Sequence, residues 1–357
     1  MSAATPIRIG DVLVGPDQEP FIIGEMSGNH NGDKERALDI VRAVAASGAQ
    51  AVKLQTYTAD TITLDVDNPD FRLSADHELW PNRRLYDLYS EAYTPWEWHE
   101  DIFALAAELG LVAFSTPFDP TAVDFLVGLG VPALKNASSE ITDLPLIRRQ
   151  AETGLPLIIS TGTATVGEID AAVRAARETG NENIILLSCT ASYPAPADAS
   201  NLRSIPVMRD TFDLQVGLSD HTMGIGAAVA AVALGATVIE KHVTLDRHDG
   251  GVDSAFSLEP QELKALRQES AVARVALGKP TIGPRTIEAE GLRFRRSLYV
   301  TRDVRAGEVV GADNVRSVRP ALGLAPDAFA DLEGRTFVAD VAMGTPMSWD
   351  LVSGALR

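Results

Sequence analysis

The stretch DLQVGLSDHTMGIGAAVAAVALGATVIEKHVTLDRHDGGVDSAFSLE, residues 213–259, decides the fold of this chain. Its apolar pattern predicts a strand at 214–219, an alanine-rich helix at 225–234 and a second strand at 237–242. A strand–helix–strand unit of this kind is parallel and right-handed, so both strands end at the same edge of one sheet. Side chains that follow the two strands are therefore expected to meet at that edge.

A histidine lies at the carboxyl end of each strand, His221 after the first and His242 in the second. A single histidine at a strand end is most often only a polar residue at a boundary. Two at matching positions of consecutive units instead indicate a shared divalent metal site, because imidazole is a common metal ligand. Their polar neighbours favour this interpretation: Ser219, Asp220, Glu240 and Lys241.

Apolar runs of strand length recur along most of the chain. Those predicted to be strands are 21–26, 51–56, 111–116, 132–138, 156–161, 183–189, 214–219 and 237–242. Stretches of helical spacing separate them, and most of these end at a glycine. Eight βα units predict an α/β protein with a (β/α)8 TIM barrel, in which catalytic groups collect at the carboxyl edge. An open, doubly wound sheet is the alternative.

The chain outside the barrel strands predicts a second domain. The barrel domain is expected over 1–280, with an N-terminal hairpin at 6–15, and a Gly/Pro-rich linker follows at 281–293. Residues 294–357 change to short alternating runs, which predict a small β-rich domain. Its predicted strands are 297–300, 315–318 and 347–351.

Two loops of the barrel pattern are longer than the rest. Residues 57–94 follow the second strand, and 244–257 form a shorter polar insertion after the eighth. Long loops at the active edge commonly act as lids or substrate walls. We expect both to lie over the same mouth.

Composition limits the classes of partner. The chain has 31 Lys and Arg against 49 Asp and Glu, a net charge of −18, which argues against binding nucleic acid or an anionic membrane. Cys189 is its one cysteine, which excludes an intramolecular disulfide and fits a cytoplasmic location. No apolar run is long enough to span a bilayer.

Two lysines lie inside otherwise apolar strands, Lys53 and Lys135. A buried lysine is costly unless a charge or ligand satisfies it. Hydroxyl residues close the surrounding strands: Thr116, Ser138, Ser160 and Ser219. Together these groups indicate an anion site suited to phosphate or carboxylate. Two alternatives stay open: a buried salt bridge with Glu25, Glu140 or Glu240, and a Schiff base between a lysine and a carbonyl substrate.

Distinctive motifs are spread along nearly the whole chain. They are EMSGNHNG (25–32), VKLQTYTADTITLD (52–65), FSTPFD (114–119), LK-x-AS-x-E (134–140), LIISTG (157–162), GLSDHTMGIG (217–226), ALGATVIEKH (233–242) and FRRSLYV (294–300). In combination they resemble the sialic acid synthase family, the phosphoenolpyruvate-dependent nonulosonate synthases. EMSGNHN, QTYTAD and DGGVDSAFSLEP (249–260) are similar to its pseudaminic acid synthase branch, and the tail resembles an antifreeze-like (SAF) domain.

The resemblance implies a reaction and a role for particular residues. Phosphoenolpyruvate would condense with an acetamido sugar aldehyde, in this branch 2,4-diacetamido-2,4,6-trideoxy-L-altrose, and release phosphate. Glu25, His221 and His242 would be catalytic, the two histidines binding Mn²⁺ or Mg²⁺. The residues implied to bind phosphoenolpyruvate are Lys53, Thr116, Lys135, Ser138, Ser160 and Ser219. Those implied to contact the sugar are Gln55, Tyr193, Asp253 and Arg319, the last across a domain-swapped homodimer.

Several positions depart from the family pattern: Asn136, Ser139, Ser188, Ala191 and Ala321. None of them belongs to the implied metal or phosphate groups, so the reaction type is expected to stand. The sugar is more open, and synthesis of N-acetylneuraminate or legionaminate is the alternative. A sugar-binding protein without catalysis is a further alternative, although it would have no need of a metal beside a phosphate site.

Overall fold

The structure, a computed structural model, describes residues 5–75 and 79–354, and parallel strands form the centre of its N-terminal part. The strands of the described chain are β1 (Ile7–Ile9), β2 (Val12–Val14), β3 (Phe21–Glu25), β4 (Ala51–Thr56), β5 (Val112–Pro117), β6 (Leu134–Asn136), β7 (Leu157–Ser160), β8 (Ile184–Cys189), β9 (Gln215–Asp220), β10 (Val238–His242), β11 (Ser297–Val300) and β12 (Val315–Val318). β3 to β10 close into a barrel in the order β10-β3-β4-β5-β6-β7-β8-β9. The predicted (β/α)8 barrel is confirmed, and the open sheet is excluded.

Helices follow the barrel strands. The helices of the described chain are α1 (Lys34–Ser47), α2 (Ala59–Ile62), α3 (Leu85–Ala92), α4 (His99–Glu108), α5 (Pro120–Gly128), α6 (Leu144–Ala151), α7 (Val166–Arg177), α8 (Ser204–Phe212), α9 (Gly226–Ala233), α10 (Pro260–Leu277), α11 (Ala289–Leu292) and α12 (Phe329–Leu332). α1 shows how the sequence sets their ends. Asp33 caps its first turn by accepting from the backbone N–H groups of Glu35 and Arg36, and Gly48 ends it at a φ of 81°. Its buried face includes Ile40 and Val41.

The register of the barrel sets which side chains share its interior. His242 pairs with Glu25 across β10 and β3, and Glu25 pairs with Lys53 across β3 and β4. Side chains alternate between the two faces of a strand. Lys53 and Gln55 therefore face the same side, whereas Thr56 lies on the other, where its hydroxyl contacts His99 Nε2 of α4 at 2.8 Å.

The hairpin predicted at 6–15 is present as β1 and β2, paired antiparallel. A Cβ at Gly10, in its turn, would lie 3.5 Å from Val112 and 3.7 Å from Pro132, which precede or begin barrel strands. Gln215, at the start of β9, also donates to the carbonyl of Thr5. The hairpin therefore covers the amino ends of the strands, the floor of the barrel.

The long segment at 57–94, which the sequence predicts to lie over the mouth, holds several arginines. In the structure they pair with acids of the same segment: Arg72 with Asp67 at 2.7 Å, Arg83 with Glu91 at 2.5 Å, and Arg84 with Asp87 at 2.6 Å and Asp65 at 3.1 Å. These cations are therefore paired within the segment itself. Residues 76–78 lie outside the described chain.

The chain divides after Gly278, and the second unit is Lys279–Arg357. Its two-stranded sheet, β11 with β12, matches the predicted runs. The third predicted strand, 347–351, is wrong: Trp349–Leu351 forms a 3-10 turn closed by the Leu351 N–H on the Ser348 carbonyl. Leu351 and Val352 are consecutive residues, yet both pack on the small core of this unit, which a straight strand with alternating faces would prevent.

The interval expected to be a linker, 281–293, lies in the second unit and includes α11. Within the described chain, no helix combines the length and the apolar character that crossing a membrane requires.

Candidate active site

A small cavity opens at the carboxyl edge of the barrel. It is lined by Lys53, Gln55, Thr116, Lys135, Ala137, Ser138, Ser160, Cys189, Tyr193, Ser219, His221, Glu240 and His242. Most of the site residues predicted from the sequence therefore lie around one space. Glu25, Asp253 and Arg319 are not in its lining, and their positions are given below.

Lys53 lies among acidic groups. Its Nζ is 2.6 Å from Oε2 of Glu25 and 3.8 Å from Oε1 of Glu240, and it donates to Thr116 Oγ1 at 3.0 Å. Burial alone would lower the pKa of Lys53, but the charges of Glu240 and Glu25 raise it above its usual value. Lys53 is thus a fixed cation, and the salt bridge left open as an alternative is present at this lysine.

Glu25 is fully buried at the level of Lys53 and His242. Burial raises the pKa of its carboxyl to about 7, and the charge of Lys53 limits the rise. Among the described residues its Oε1 has no hydrogen-bond partner. Such a carboxyl can take up or release a proton near neutral pH.

Lys135 differs from Lys53 because the described chain offers it no carboxylate at ion-pair distance. Its Nζ donates to Ser160 Oγ at 2.6 Å and to the carbonyl of Asn136 at 2.8 Å. The residue is only 2% exposed, and burial lowers the pKa of its ammonium group. A buried cation without an anion is unfavourable, so this position is suited to an anionic ligand.

The hydroxyls around Lys135 are held by backbone groups and neighbours. Ser138 Oγ accepts from the Gly162 N–H at 3.1 Å, and a Cβ at Gly162 would lie 2.7 Å from that oxygen. Glycine is therefore required beside Ser138. Ser219 Oγ donates to Glu240 Oε1 at 3.2 Å.

His221 and His242 lie close together, with ring centroids 5.2 Å apart. His221 Nδ1 is 3.0 Å from the carbonyl of Thr190, which can only accept, so Nδ1 carries the proton and Nε2 keeps its lone pair. His242 Nδ1 is 3.2 Å from Ser27 Oγ, and Ser27 donates its single proton to Asp253 Oδ2 at 2.5 Å. The Ser27 oxygen must then accept from His242 Nδ1–H, which leaves Nε2 of His242 free as well.

Both imidazoles are neutral at physiological pH. Burial lowers the pKa of His221, and burial together with the neighbouring His221 lowers the pKa of His242 well below its usual value. A metal-binding histidine must be neutral and usually has its other nitrogen hydrogen-bonded. The pair therefore fits a divalent metal, and Oε2 of Glu240, unpartnered among the described residues, adds a free oxygen to the same cavity.

Aromatic rings enclose the histidine pair. The Tyr193 ring centroid lies 4.4 Å from that of His221 and 6.5 Å from that of His242, and Phe256 lies 5.0 Å from His242. These rings restrict the space above the imidazoles. Tyr193 also lines the cavity directly.

Asp220 and Lys241, which flank the histidines in sequence, lie on the other face of the barrel wall. They form a buried ion pair at 3.0 Å, and Lys241 also donates to the carbonyl of Thr222 at 2.5 Å. Ser219 and Glu240, one residue earlier in each strand, face the cavity. Because side chains alternate between the faces of a strand, Asp220 and Lys241 pair on the outer face, whereas Ser219 and Glu240 point into the cavity.

Another group of possible metal ligands lies in the loop after β10, formed by Asp246, His248 and Glu259. Asp246 and His248 are exposed and bond to each other, and Glu259 lies 3.7 Å from the guanidinium of Arg247. The chain therefore already supplies partners for this group. It is separate from the predicted histidine pair.

Asp253 does not line the cavity, but it is connected to His242 through the hydroxyl of Ser27. Burial raises the pKa of its carboxyl to about 6, and the Ser27 hydroxyl limits the rise. Arg319 lies in the second unit, exposed and directly after β12.

The sequence did not predict Ser27 or Cys189 as site residues, and it named Glu240 only as a polar neighbour of the histidines and a possible salt-bridge partner of a lysine. Glu240 had an available signal, because it lies two residues before His242 on one strand and so shares its face. Cys189 ends β8, where polar groups gather. Nothing in local sequence distinguishes Ser27, whose contact with Asp253 joins positions 226 residues apart.

Fold and site together define a (β/α)8-barrel protein whose pocket joins two buried lysines to a pair of neutral histidines, with a separate C-terminal domain. The NeuB family profile matches residues 40–281, and the SAF domain profile matches 295–353. The chain belongs to the NeuB family. Both resemblances predicted from the sequence are confirmed.

Relatives extend over most of the chain. It is 41% identical over 331 residues to the pseudaminic acid synthase of Campylobacter jejuni, a match that covers 92% of this chain and 95% of that protein. Identity to the pseudaminic acid synthase of Helicobacter pylori is 38% over 341 residues, or 95% and 99% of the two chains. Among solved structures, the N-acetylneuraminic acid synthetase of Leptospira borgpetersenii in complex with citrate matches with a TM-score of 0.73 and 31% identity, over 82% of this chain and 97% of that one.

Proposed function

We propose that this protein is a phosphoenolpyruvate-dependent synthase that makes pseudaminic acid. It condenses phosphoenolpyruvate with 2,4-diacetamido-2,4,6-trideoxy-L-altrose and releases phosphate. The observation that carries the proposal is Lys135, a buried cation with no carboxylate at ion-pair distance among the described residues, which lines the same cavity as a pair of neutral histidines. The pseudaminic acid synthases among its relatives support the choice of sugar.

Lys135 holds the phosphate of phosphoenolpyruvate, with Ser138 and Ser160 as further hydrogen-bond donors. The carboxylate lies on the side of Lys53, Thr116 and Ser219. This division is supported by charge, because the more highly charged phosphate is best matched by the lysine that has no acid of its own. It also leaves Glu25 beside the part of the substrate that reacts.

His221 and His242 would hold Mn²⁺ or Mg²⁺ through their Nε2 atoms. Once bound, a divalent ion supplies Lewis-acid polarisation of the sugar aldehyde oxygen. The support is the hydrogen bonding of both Nδ1 atoms, which fixes each ring with its lone pair on Nε2.

The reaction forms a bond from C3 of phosphoenolpyruvate to the aldehyde carbon, and water adds at C2. The C2–O bond then breaks, the C2 hydroxyl becomes the ketone carbonyl, and the phosphate leaves with the proton of that hydroxyl. The other proton of the added water ends on the former aldehyde oxygen, which becomes a hydroxyl group of the product. Glu25 accepts the proton of the attacking water, a role supported by its pKa of about 7. Lys53, 2.6 Å away, holds the carboxylate of Glu25 in place.

Gln55, Tyr193 and Asp253 contact the sugar on the open side of the cavity. No hydrogen bond of the described chain uses Oδ1 of Asp253, which is therefore available for a sugar hydroxyl. We further propose that the enzyme is a cytoplasmic, domain-swapped homodimer in which the partner's Arg319 completes the sugar site. Neither nucleic acid nor a membrane is a partner, in keeping with the net charge of −18.

The test is phosphate release from phosphoenolpyruvate with a panel of acetamido sugars, combined with the mass of each product. The expected result is turnover with the altrose substrate and a product of the mass of pseudaminic acid. Preference for an N-acetylneuraminate or legionaminate precursor would keep the chemistry and change the sugar. Absence of phosphate release with every sugar, under metal supplementation, would reject the function and favour a non-catalytic sugar-binding protein.

A Schiff-base aldolase is the second candidate, and the lowered pKa of Lys135 favours it. Borohydride added with the carbonyl substrate would trap such an enzyme as a covalent adduct at Lys135. Activity retained in EDTA together with that adduct would support the aldolase. We expect neither, because an anionic ligand beside Lys135 keeps its ammonium group protonated.

A further inference from the structure

Two loops at the mouth of the barrel, 26–33 after β3 and 243–259 after β10, are joined by buried polar contacts. Ser27 donates to Asp253 at 2.5 Å, and Asn29 Nδ2 donates to Ser257 Oγ and to the carbonyl of Val243, each at 2.8 Å. The motifs EMSGNHN and DGGVDSAFSLEP therefore form one structural unit.

Backbone geometry fits Ser27 closely to its position. The residue is completely buried and has a φ of 45°, in the left-handed region that disfavours β-branched side chains. A Cβ at the next residue, Gly28, would lie 2.5 Å from Val252. The two loops can approach each other only because residues 27 and 28 are small.

The Ser27 hydroxyl connects Asp253 to His242, and its single proton fixes the direction of that connection. Because Asp253 Oδ2 accepts the proton, the Ser27 oxygen accepts from Nδ1–H of His242 at 3.2 Å. Asp253 itself lies 3.6 Å from Nδ1, beyond a good direct hydrogen bond. The serine therefore transmits the orientation of the carboxylate to the ring.

We propose that Ser27 is a positioning residue for His242, holding the imidazole as its Nδ1–H tautomer so that Nε2 presents its lone pair to a divalent metal. The inference rests on the metal site of the proposed function. It adds a role for Asp253: its Oδ2 accepts the hydrogen bond from Ser27 that fixes the direction of the Ser27–His242 contact, while its Oδ1 stays available to substrate. Hydrogen-bond partners of metal-binding histidines commonly change metal affinity roughly 10- to 100-fold when they are removed.

A purely structural role, in which Ser27 only joins the two loops, is the competing explanation. Ser254 provides a matched control, since its hydroxyl contacts the Gly250 carbonyl and Asn29 Oδ1 at the same loop junction. Within the described part of the chain, none of the hydrogen bonds of the Ser254 hydroxyl reaches a histidine. Loss of the Ser254 hydroxyl should weaken the junction and leave His242 unchanged.

The experiment compares the wild type with Ser27→Gly, Ser27→Ala and Ser254→Ala as full-length, metal-stripped proteins. Glycine suits the positive φ of residue 27, so Ser27→Gly removes the hydroxyl without straining the backbone. The first measurement is the ¹⁵N shift of the His242 ring nitrogens in histidine-labelled protein, with the signal assigned from a His242→Gln sample. The second is titration with Mn²⁺ followed by electron paramagnetic resonance.

We expect the wild type and Ser254→Ala to show the Nδ1–H tautomer and Mn²⁺ dissociation constants within about twofold of each other. Both Ser27 variants should lose the single tautomer and bind Mn²⁺ roughly 10- to 100-fold more weakly. Ser27→Gly with wild-type ring shifts and affinity would overturn the inference, as would equal weakening in Ser254→Ala.

Failure of the proposed function would look different. A wild-type protein that binds no Mn²⁺ and releases no phosphate would reject the function. The ring shifts of the metal-free proteins would then still decide whether Ser27 sets the tautomer.

Discussion

Lys135 and Lys241 are both buried lysines on barrel strands, but they lie on opposite faces of the barrel wall. Outside the barrel, Lys241 is paired with Asp220 and bonds the Thr222 carbonyl. Inside, the hydrogen-bond acceptors of Lys135 among the described residues are a serine hydroxyl and a backbone carbonyl. Among the described residues, the chain supplies an anion to Lys241 and none to Lys135. We therefore expect the outer pair to stabilise the barrel wall and the inner lysine to bind an anionic ligand.

The largest effect should come from the inner face, at the histidines. His221→Ala and His242→Ala each remove a ligand of the proposed metal site, and turnover should fall about 10⁴-fold, which corresponds to about 5 kcal/mol of transition-state stabilisation. Both residues are neutral and make few structural hydrogen bonds, so the barrel should stay folded by circular dichroism. Phosphate release measures the loss. Wild-type turnover in either variant would remove the histidines from the mechanism.

On the outer face, Lys241→Met should damage stability instead. It leaves the carboxylate of Asp220 buried without its cation, at a cost of about 3–5 kcal/mol in the free energy of unfolding. Chemical denaturation of the barrel measures the change. The double variant Asp220→Leu with Lys241→Met should recover most of it, because no lone charge remains. If the double variant were no more stable than the single one, the pair would have a role beyond mutual neutralisation.

The corresponding substitution on the inner face, Lys135→Met, should do the reverse. We expect kcat/KM for phosphoenolpyruvate to fall about 10²- to 10³-fold, because a charge that stabilises the phosphate is lost. Stability should be unchanged or higher, since the substitution removes a buried cation that has no anionic partner among the described residues. Steady-state kinetics with either substrate varied, together with thermal unfolding, test both halves. An effect confined to the KM for the sugar would mean that the phosphate of phosphoenolpyruvate binds somewhere other than Lys135.

The difference between the two faces also shows what the sequence can predict. The strand of residues 237–242 and its neighbour could be found from apolar runs, and their parallel connection brought His221 and His242 together without any knowledge of distant contacts. Because successive side chains of a strand point to opposite faces, Glu240 and Lys241 are then expected on opposite sides of the barrel wall. Barrel closure, and hence the meeting of Lys53 with Glu25, followed from counting eight units.

The remaining site contacts depend on loops, where local pattern carries little information. The hydrogen bond from Ser27 to Asp253 and the packing of Gly28 against Val252 join the first and last βα loops. Motif resemblance identified both loops, but it did not indicate that they touch. The strand expected at 347–351 failed for a related reason, because alternation in a short apolar run does not distinguish a strand from a 3-10 turn.

Glu140, in the 3-10 turn after β6, provides the smallest test of the comparison, as a carboxylate without the cation that Asp220 has. Burial raises the pKa of Glu140 to about 7, Lys135 limits the rise, and Oε2 has no hydrogen-bond partner among the described residues. A raised folded-state pKa means that the contribution of Glu140 to stability is complete below about pH 4.5 and is lost as the pH rises through 7. Glu140→Gln removes this dependence. The variant should match the wild type near pH 4.5 and exceed it by about 1–3 kcal/mol at pH 8, or roughly 2–6 °C in thermal unfolding. Equal melting temperatures of the variant and the wild type at pH 8 would mean that a cation or water binds the Glu140 carboxylate in solution. Lys135 would then be the remaining example, in this comparison, of a buried charge without an oppositely charged partner.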